Sequence, residues 1–232
     1  MTVWTRFGDL VSSVAADAFS TLVEAVRTVF EGDASTRRQV SFSIAMIGLS
    51  AKMAKADGIV TQEEVDAFRD IFEIPEKEAE NVARLYNLAK QDVAGFDAYA
   101  RQVVRLFPDE PAILEDVMDG LFHIAKADGI LHEKEDEFLE HVAVIFDLKG
   151  RDYQRIRARH LNPEEGDPYL IIGGERSMSD SDMRSLYRNL VKENHPDRMI
   201  ARGVPEEFVA IANDRLAAIN RAWETIKLER GL

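Results

Sequence analysis

The segment "AKADGIVTQEE" begins at Ala54, and a second copy of its core stands in "AKADGILHEKE", which begins at Ala125. Residues at helical spacing precede each copy, and an acidic segment at helical spacing follows it. The glycine of each copy suits the left-handed end of a helix. Each copy therefore predicts a helix, a sharp Asp-Gly turn and a second helix. The apolar face of that second helix consists of Val65, Phe68, Ile71 and Phe72 in the first copy, and of Phe138, Val142, Ile145 and Phe146 in the second.

The segments around the repeat also favour helices. Two further amphipathic segments, residues 75–91 and 96–107, separate the copies. The sequence lacks the sustained alternation of apolar and polar residues that is typical of strands. We therefore predict an all-α protein whose central domain holds helix pairs related by a pseudo-repeat. Its predicted parts are an N-terminal amphipathic helix in residues 1–33, an all-helical domain in 34–150, a basic helix and linker in 151–166, and a C-terminal module in 167–232.

Acidic residues cluster around both Asp-Gly turns and raise the question of a metal site. Hard cations favour clustered carboxylates, but this spacing is too short and too sparse for an EF-hand loop. Alternatively, the aspartates accept hydrogen bonds from turn amides and the glutamates lie at helix N-termini, with Thr61 and Glu64 at capping-box spacing. We assign no metal and no cofactor, and both interpretations stay open. The candidate ligands are Asp57, Glu63 and Glu64 in the first copy and Asp128, Glu133 and Glu135 in the second.

Residues 34–150 resemble the TerB-like helical domain, which is also found in the DjlA type of membrane-associated cochaperone. The resemblance rests on "AKADGIVTQEE" and "AKADGILHEKE" and covers about half of the chain. It implies an all-helical domain. Because TerB-like domains have been connected with metal binding, the resemblance also keeps a metal- or stress-sensing function among the alternatives.

The charge of the chain is unevenly distributed. Of 29 basic and 42 acidic residues, residues 167–232 hold 10 and 11, so residues 1–166 hold 19 and 31 and carry a net charge of −12. So acidic a surface repels nucleic acid, and we expect no nucleic-acid partner. The sequence contains no cysteine, which excludes disulfides, thiolate metal sites and a cysteine nucleophile.

The N-terminal 33 residues carry apolar side chains at helical spacing. Acidic and basic residues interrupt this pattern, so no apolar run is long enough to span a bilayer, and a signal-peptide pattern is absent. Two interpretations remain open, namely a helix packed on the body or a partner, and a helix on a membrane surface. The apolar positions are Phe7, Leu10, Val11, Val14, Ala18, Leu22, Val26, Val29 and Phe30.

The C-terminal module contains "LVKENHPDRMIA" in residues 190–201, where a helical pattern stops at His195-Pro196-Asp197. Ser179 offers an N-cap for the helix that leads into this tripeptide. Pro196 ends that helix because proline disfavours helical backbone at the residue before it. A second helical pattern resumes in residues 206–227. We predict two antiparallel helices joined by a loop that presents the HPD tripeptide.

The whole of residues 167–232 resembles the J domain of DnaJ-type cochaperones. "DPYLIIG" at 167–173 looks like the family's opening "DYYEILG", "MRSLYRNLVKENHPDR" at 183–198 looks like its second helix and loop, and "LAAINRAWETI" at 216–226 looks like its third helix. Leu216 and Trp223 depart from the usual Phe and Tyr but keep apolar positions. Glu193 and Asn194 replace a frequent Lys and Tyr just before the HPD tripeptide, which we call the tip. These changes could weaken docking of the module to its partner or alter the choice of partner.

The J-domain resemblance implies cochaperone action. J domains bind a DnaK-type chaperone in its ATP state and stimulate its ATP hydrolysis. We do not expect an enzyme, because His195 and Asp197 have no nucleophile or third orienting group nearby in the sequence. The residues that the resemblance assigns to chaperone binding are His195, Pro196, Asp197, Tyr187 and Arg198, together with a basic stripe of Arg184, Arg188 and Lys192.

Two functions follow as alternatives. In the first, the protein is a cochaperone, cytoplasmic or at the cytoplasmic face of the inner membrane. The TerB-like domain then supplies a partner, a location or a homodimer contact, and the N-terminal helix could touch the membrane. In the second, the protein is a metal- or stress-sensing adaptor that keeps the J fold but does not activate a chaperone. Fold resemblance cannot choose between them.

Overall fold

The computed structural model describes residues 3–13, 19–28, 33–57, 68, 74–91, 95–108, 110–148, 150–161 and 166–232. These residues form helices and connecting turns, and no strand occurs among them. This confirms the predicted all-α class for the described part of the chain. The α-helices are α1 (Val3–Ser13), α2 (Phe19–Thr28), α3 (Ala34–Asp57), α4 (Ala79–Gln91), α5 (Phe96–Leu106), α6 (Pro111–Ala125), α7 (Glu133–Ile145), α8 (Arg151–Leu161), α9 (Pro168–Ile172), α10 (Asp180–Glu193), α11 (Pro196–Arg202) and α12 (Val209–Arg230).

Helix α3 lies at the centre of the body, which we define as α1 to α8. Every residue from Val40 to Ala54 is buried. A helix that is buried on all sides must be surrounded by other elements, and α3 contacts α1, α2, α4, α5, α6 and α7. The core of the body is therefore built around this one helix.

The N-terminal segment contains two helices, α1 and α2, which pack on the body. Phe7 and Val11 of α1 and Leu22 and Val26 of α2 are buried in the main core. Packing on the body is therefore confirmed for these positions, whereas Val14, Ala18, Val29 and Phe30 lie outside the described residues. None of the helices in the described ranges is both long and apolar enough to span a membrane.

The second Asp-Gly turn joins α6 to α7 and has the predicted geometry. Gly129 adopts a φ of 86°, a left-handed conformation that glycine reaches at little cost. The Asp128 Oδ1 accepts the Ile130 N–H at 2.9 Å, and the Glu135 Oε2 accepts the His132 N–H at 3.1 Å. In the first copy, Asp57 ends α3 and Phe68 is buried. Thr61, Glu63, Glu64, Val65, Ile71 and Phe72 lie outside the described part.

Helix α8, which the sequence predicts as a basic helix leading into a linker, is an integral part of the body. Arg157 pairs with Asp136 of α7 at 2.8 Å, and the Tyr153 hydroxyl donates to the same carboxylate at 2.6 Å. Arg155 pairs with Glu115 of α6 at 3.0 Å. These arginines therefore fix α8 against two neighbours.

The C-terminal module, α9 to α12, is called the J-like module below. "PYLIIG" forms the short helix α9, capped by Asp167 and ended by the left-handed Gly173. Ser179 caps α10 as predicted, accepting the Asp182 N–H at 3.1 Å. Helices α10 and α12 form the predicted pair around a small core of its own, and their connection contains the additional helix α11. The core consists of Tyr169, Ile171, Ile172, Met183, Ala222, Trp223 and Ile226.

Candidate functional site

The HPD tripeptide forms the start of helix α11. His195 has extended backbone (φ −67°, ψ 137°) and is the N-cap, with Pro196 in the first helical turn, where its missing N–H carries no penalty. The His195 Nδ1 accepts the Asp197 N–H at 3.2 Å. Because Nδ1 is occupied as an acceptor, the network assigns the ring proton to Nε2. The tripeptide thus fixes the ring by capping its own helix and leaves Nε2 pointing away from that bond.

The tip is open to solvent. The side chains of His195 and Asp197 are 53% and 87% exposed. Their Nδ1 and Oδ2 atoms are 3.6 Å apart, which is too far for a hydrogen bond. An imidazole and a carboxylate therefore lie side by side in solvent at the start of α11.

The basic stripe on α10 flanks this tip. Arg184, Arg188 and Lys192 are all exposed, and their spacing of four residues places them on one face. Arg198 follows the tip, and its Nη1 lies 3.5 Å from the Glu193 Oε1. Glu193, one of the two departures from the J-domain pattern, is therefore an exposed acid that partly neutralises one of the expected cations.

Tyr187 lies at the junction of the two long helices. Its ring stacks on Trp223 with centroids 4.7 Å apart, and its hydroxyl donates to Asn220 Oδ1 at 3.0 Å. The structure gives Tyr187 a packing role between α10 and α12. Its contact with a chaperone stays a prediction.

Asn194, the second departure, is buried with 7% of its surface exposed. Its Nδ2 donates to the Leu190 carbonyl at 2.8 Å, and its Oδ1 accepts from Arg215 Nη1 at 2.8 Å. Because arginine only donates, this contact fixes the orientation of the amide. Asn194 therefore faces the interior and is a structural residue at the base of the tip.

Arg215 leads from Asn194 into a buried charge cluster that the sequence analysis does not identify. Asp116 and Asp119 of α6 are fully buried. Asp116 accepts from Arg215 at 2.8 Å and from Arg202 at 3.0 Å. Asp119 contacts Arg215 and Arg159, and its Oδ1 lies 2.6 Å from His160 Nε2. The members of the buried charge cluster are Glu115, Asp116 and Asp119 of α6, Arg155, Arg159 and His160 of α8, Arg202 of α11, and Arg215 of α12.

Burial and neighbouring charges act against each other in this cluster. Burial would raise the pKa of Asp119, but Arg159, Arg215 and the His160 hydrogen bond outweigh it and hold the pKa well below its ordinary value. Burial likewise opposes ionisation of Glu115, yet the nearby arginines lower its pKa to about 2. For Asp116, burial prevails over Arg215 and Arg202 and raises the pKa. Asp116, which contacts Arg202 and Arg215 of the J-like module, is therefore the most easily protonated of the three carboxylates.

His160 is neutral at the edge of the cluster. Burial lowers its pKa, and the attraction of Asp119 offsets this only in part. Four arginines already surround the three carboxylates of the cluster, so a further positive charge on His160 is not needed to balance them. A neutral ring donates its Nε2 proton to Asp119 at 2.6 Å. In addition, the ring stacks on Phe122 with centroids 5.2 Å apart.

Two of the three candidate metal ligands of the second turn, Asp128 and Glu135, have structural roles. Asp128 accepts a turn amide and Glu135 accepts a helix N–H, as expected for the interpretation without a metal. Within the residues that the structure describes, no group of three or more potential ligands could hold a metal ion. Glu63 and Glu64 lie outside those residues, and the side chain of Asp57 is not described.

Comparison with known proteins adds the following. The family model described as tellurite resistance protein TerB matches residues 43–158. Co-chaperone protein DjlA of Coxiella burnetii is 26% identical over 231 residues, covering 89% of this chain and 86% of the relative. The DjlA of Photobacterium profundum is 24% identical over 85% of this chain and 80% of its own. That of Shewanella oneidensis is 36% identical over 66 residues, which are 28% of this chain and 25% of its own. No solved structure matches the chain.

Proposed function

The chain belongs to the TerB family, whose model matches half of it, and we propose that it is a cochaperone of a DnaK-type chaperone. The proposal also rests on the similarity of the chain to DjlA co-chaperones. The J-like module binds the chaperone in its ATP state and stimulates ATP hydrolysis. The proposed binding residues are His195, Pro196, Asp197, Arg184, Arg188, Lys192, Arg198 and Tyr187.

One observation carries this proposal, namely the exposed tip, whose His195 ring is oriented by its own cap, beside a basic helix face. His195 caps the helix that it begins, so its ring is oriented before any partner arrives. A preorganised group loses little freedom on binding. The tip can therefore discriminate between two conformations of a partner, which is what an activator of hydrolysis must do.

The basic stripe contributes to encounter more than to activation. Arg184, Arg188 and Lys192 are exposed, and exposed charges steer association and fix orientation without adding much affinity. An acidic surface on the chaperone is the partner that this face fits. The strongly acidic body, by contrast, repels such a surface, so that the chaperone is directed to the J-like module.

The body is proposed to serve as the partner, localisation or dimerisation module. Its charge of −12 in residues 1–166, from 19 basic and 31 acidic residues, fits a basic partner. We propose a cytoplasmic location, including the cytoplasmic face of the inner membrane. Because the described apolar residues of α1 and α2 lie in the main core, peripheral contact through this segment would have to use other residues.

The alternative function is that of an adaptor that does not activate a chaperone. The position of Glu193 beside the tip favours this alternative. Its carboxylate lies 3.5 Å from Arg198 Nη1 and adds negative charge next to the tip.

The metal-sensing form of this alternative is tested by calorimetric titration with divalent cations. Binding weakened by Asp57→Ala and Asp128→Ala would support it, and a flat titration counts against it.

Single-turnover ATP hydrolysis by the DnaK-type chaperone of the same organism tests the proposed function. Addition of this protein should accelerate hydrolysis, and His195→Gln should abolish the acceleration. His141→Gln is the matched control, because it makes the same substitution at another exposed histidine, on α7 of the body. Circular dichroism establishes that all three proteins are folded. Absence of acceleration at any concentration of the wild-type protein rules out the activating function.

A further inference from the structure

We infer that Asp116, a residue of the TerB body, is a positioning residue for the HPD tip and acts on it through Arg215 and Arg202. This inference rests on the proposed function and adds that the body controls how strongly the tip activates the chaperone. Asp116 itself is fully buried and belongs to α6. It therefore acts without touching the chaperone.

The first connection reaches the residue just before the tip. Arg215 donates to Asp116 Oδ1 through Nη2 and to Asn194 Oδ1 through Nη1, each at 2.8 Å. Asn194 is in turn bonded to the Leu190 carbonyl at 2.8 Å. Because Asn194 precedes His195 directly, its position sets where the N-cap of α11 begins.

The second connection reaches the other end of the same short helix. Arg202 lies in the last turn of α11, and its Nη2 donates to Asp116 Oδ2 at 3.0 Å. Its Nη1 donates to the Glu193 carbonyl at 3.3 Å. The tip is therefore tied on both sides, and both ties meet at one carboxylate that is 86 and 99 residues away from the two arginines in the sequence.

Apolar contacts hold α11 on the body independently of these charges. Met199 of α11, and Val204 and Phe208 just after it, are buried in the main core together with residues of the body. The ring of Phe208 meets that of Phe42 on α3 edge to face, with centroids 4.5 Å apart. Loss of the Asp116 ties should therefore leave the module docked and disturb the orientation of the tip.

The same cluster contains a matched control. Glu115 is the neighbouring carboxylate on α6, and it pairs with Arg155 and Arg159 of α8 at 3.0 and 2.8 Å. Those partners lie in the body and make no contact with Asn194 or Glu193 among the described residues. Glu115→Gln removes a similar charge from the same cluster and spares the ties to the tip, whereas Asp116→Asn weakens them.

The experiment measures single-turnover ATP hydrolysis against cochaperone concentration for the wild-type protein, Asp116→Asn, Glu115→Gln and Asn194→Ala. We expect Asp116→Asn and Asn194→Ala to lower the maximal stimulated rate about tenfold. This change corresponds to a loss of about 1.4 kcal/mol of transition-state stabilisation by the misplaced tip. The concentration for half-maximal stimulation should change by less than about threefold, because the basic stripe is intact. Glu115→Gln should stay within about twofold of the wild type on both measures.

Amide hydrogen exchange supplies a readout that does not need the chaperone. The amides of Arg198 and Met199 donate to the His195 carbonyl at 2.8 and 3.3 Å. In Asp116→Asn they should exchange faster, and in Glu115→Gln they should exchange as in the wild type. Asn194→Ala leaves the carboxylate and both arginines in place, so it tests the connection even if Asp116→Asn does not fold.

Three outcomes would overturn the inference. In the first, folded Asp116→Asn and folded Asn194→Ala both stimulate hydrolysis to the wild-type maximal rate. In the second, Glu115→Gln lowers the maximal rate as much as Asp116→Asn does, which would indicate a general loss of stability. The third is unchanged exchange at Arg198 and Met199 in the folded variants. If the wild-type protein gives no stimulation while His195 is intact, the proposed function fails, and the exchange measurement still decides whether Asp116 orders the tip.

Discussion

Arginines serve two opposite purposes in this molecule, and their surroundings determine which. On α10, Arg184 and Arg188 lie in water, where a cation is available to a partner and contributes little to folding. In the buried charge cluster, Arg159 and Arg215 are nearly inaccessible and are held by carboxylates. There a cation cannot meet a partner, but its removal leaves charges without compensation. We therefore expect the same residue type to bind a partner at one place and to position neighbouring groups at the other.

The largest expected effect comes from removing a buried cation. Arg215→Met should lower the free energy of unfolding by about 3–5 kcal/mol, because it removes one of the two arginines that compensate each of the buried carboxylates Asp116 and Asp119. Arg188→Met, the same substitution on the exposed face, should change it by less than about 0.5 kcal/mol. Urea unfolding gives both values from the shift in midpoint at constant slope. Equal losses in the two variants would contradict the comparison.

The reverse ordering should hold for chaperone binding. Arg188→Met should raise the concentration for half-maximal stimulation about fivefold, a change of about 1 kcal/mol, and it should reduce the dependence of that concentration on salt. The maximal rate should be retained, because the tip is not altered. A variant that keeps its half-maximal concentration at low salt would show that the basic stripe is only a solvated helix face.

Acid should weaken the cluster through His160. Its folded-state pKa is depressed by burial, so the unfolded chain binds the proton more readily, and the free energy of unfolding falls as the pH drops below about 6.5. The slope from this one group is at most about 1.4 kcal/mol per pH unit. His160→Gln can still donate to Asp119 and does not titrate, so urea unfolding of this variant should vary less between pH 7 and pH 5. An unchanged pH profile would exclude His160 as the source.

The smallest effect is expected at Glu193. Glu193→Lys removes the 3.5 Å pair with Arg198 and should change the free energy of unfolding by less than about 0.5 kcal/mol, because both side chains are exposed. It should lower the concentration for half-maximal stimulation by about twofold through added positive charge. If the wild-type protein fails to stimulate and Glu193→Lys does, the adaptor alternative is favoured.

Local sequence patterns predicted the parts of the structure that depend on local interactions. The Asp-Gly turn of the second copy follows from the left-handed backbone of Gly129 and from the hydrogen bond that the Asp128 carboxylate accepts from a turn amide. The start of α10 follows from the Ser179 cap. The exposure of the HPD tip follows from Pro196, which ends one helix and begins the next. In each case the deciding contact lies within a few residues of the pattern.

Contacts between distant segments were beyond reach of the same patterns. Arg155 and Arg159 indicate only a basic helix, because their partners Glu115 and Asp119 lie 40 residues away in the sequence. Asn194 looks like a change at the chaperone-binding surface until Arg215 turns it inward. One signal was present, because Asp116 and Asp119 interrupt the apolar helix α6, and acids at such positions require buried cations.

We propose that the exposed tip activates a chaperone, and single-turnover ATP hydrolysis by the DnaK-type chaperone is the decisive measurement. The proposed function predicts acceleration by the wild-type protein and by His141→Gln, and none by His195→Gln. Equal acceleration by His195→Gln, or none by the wild-type protein at any concentration, would contradict it.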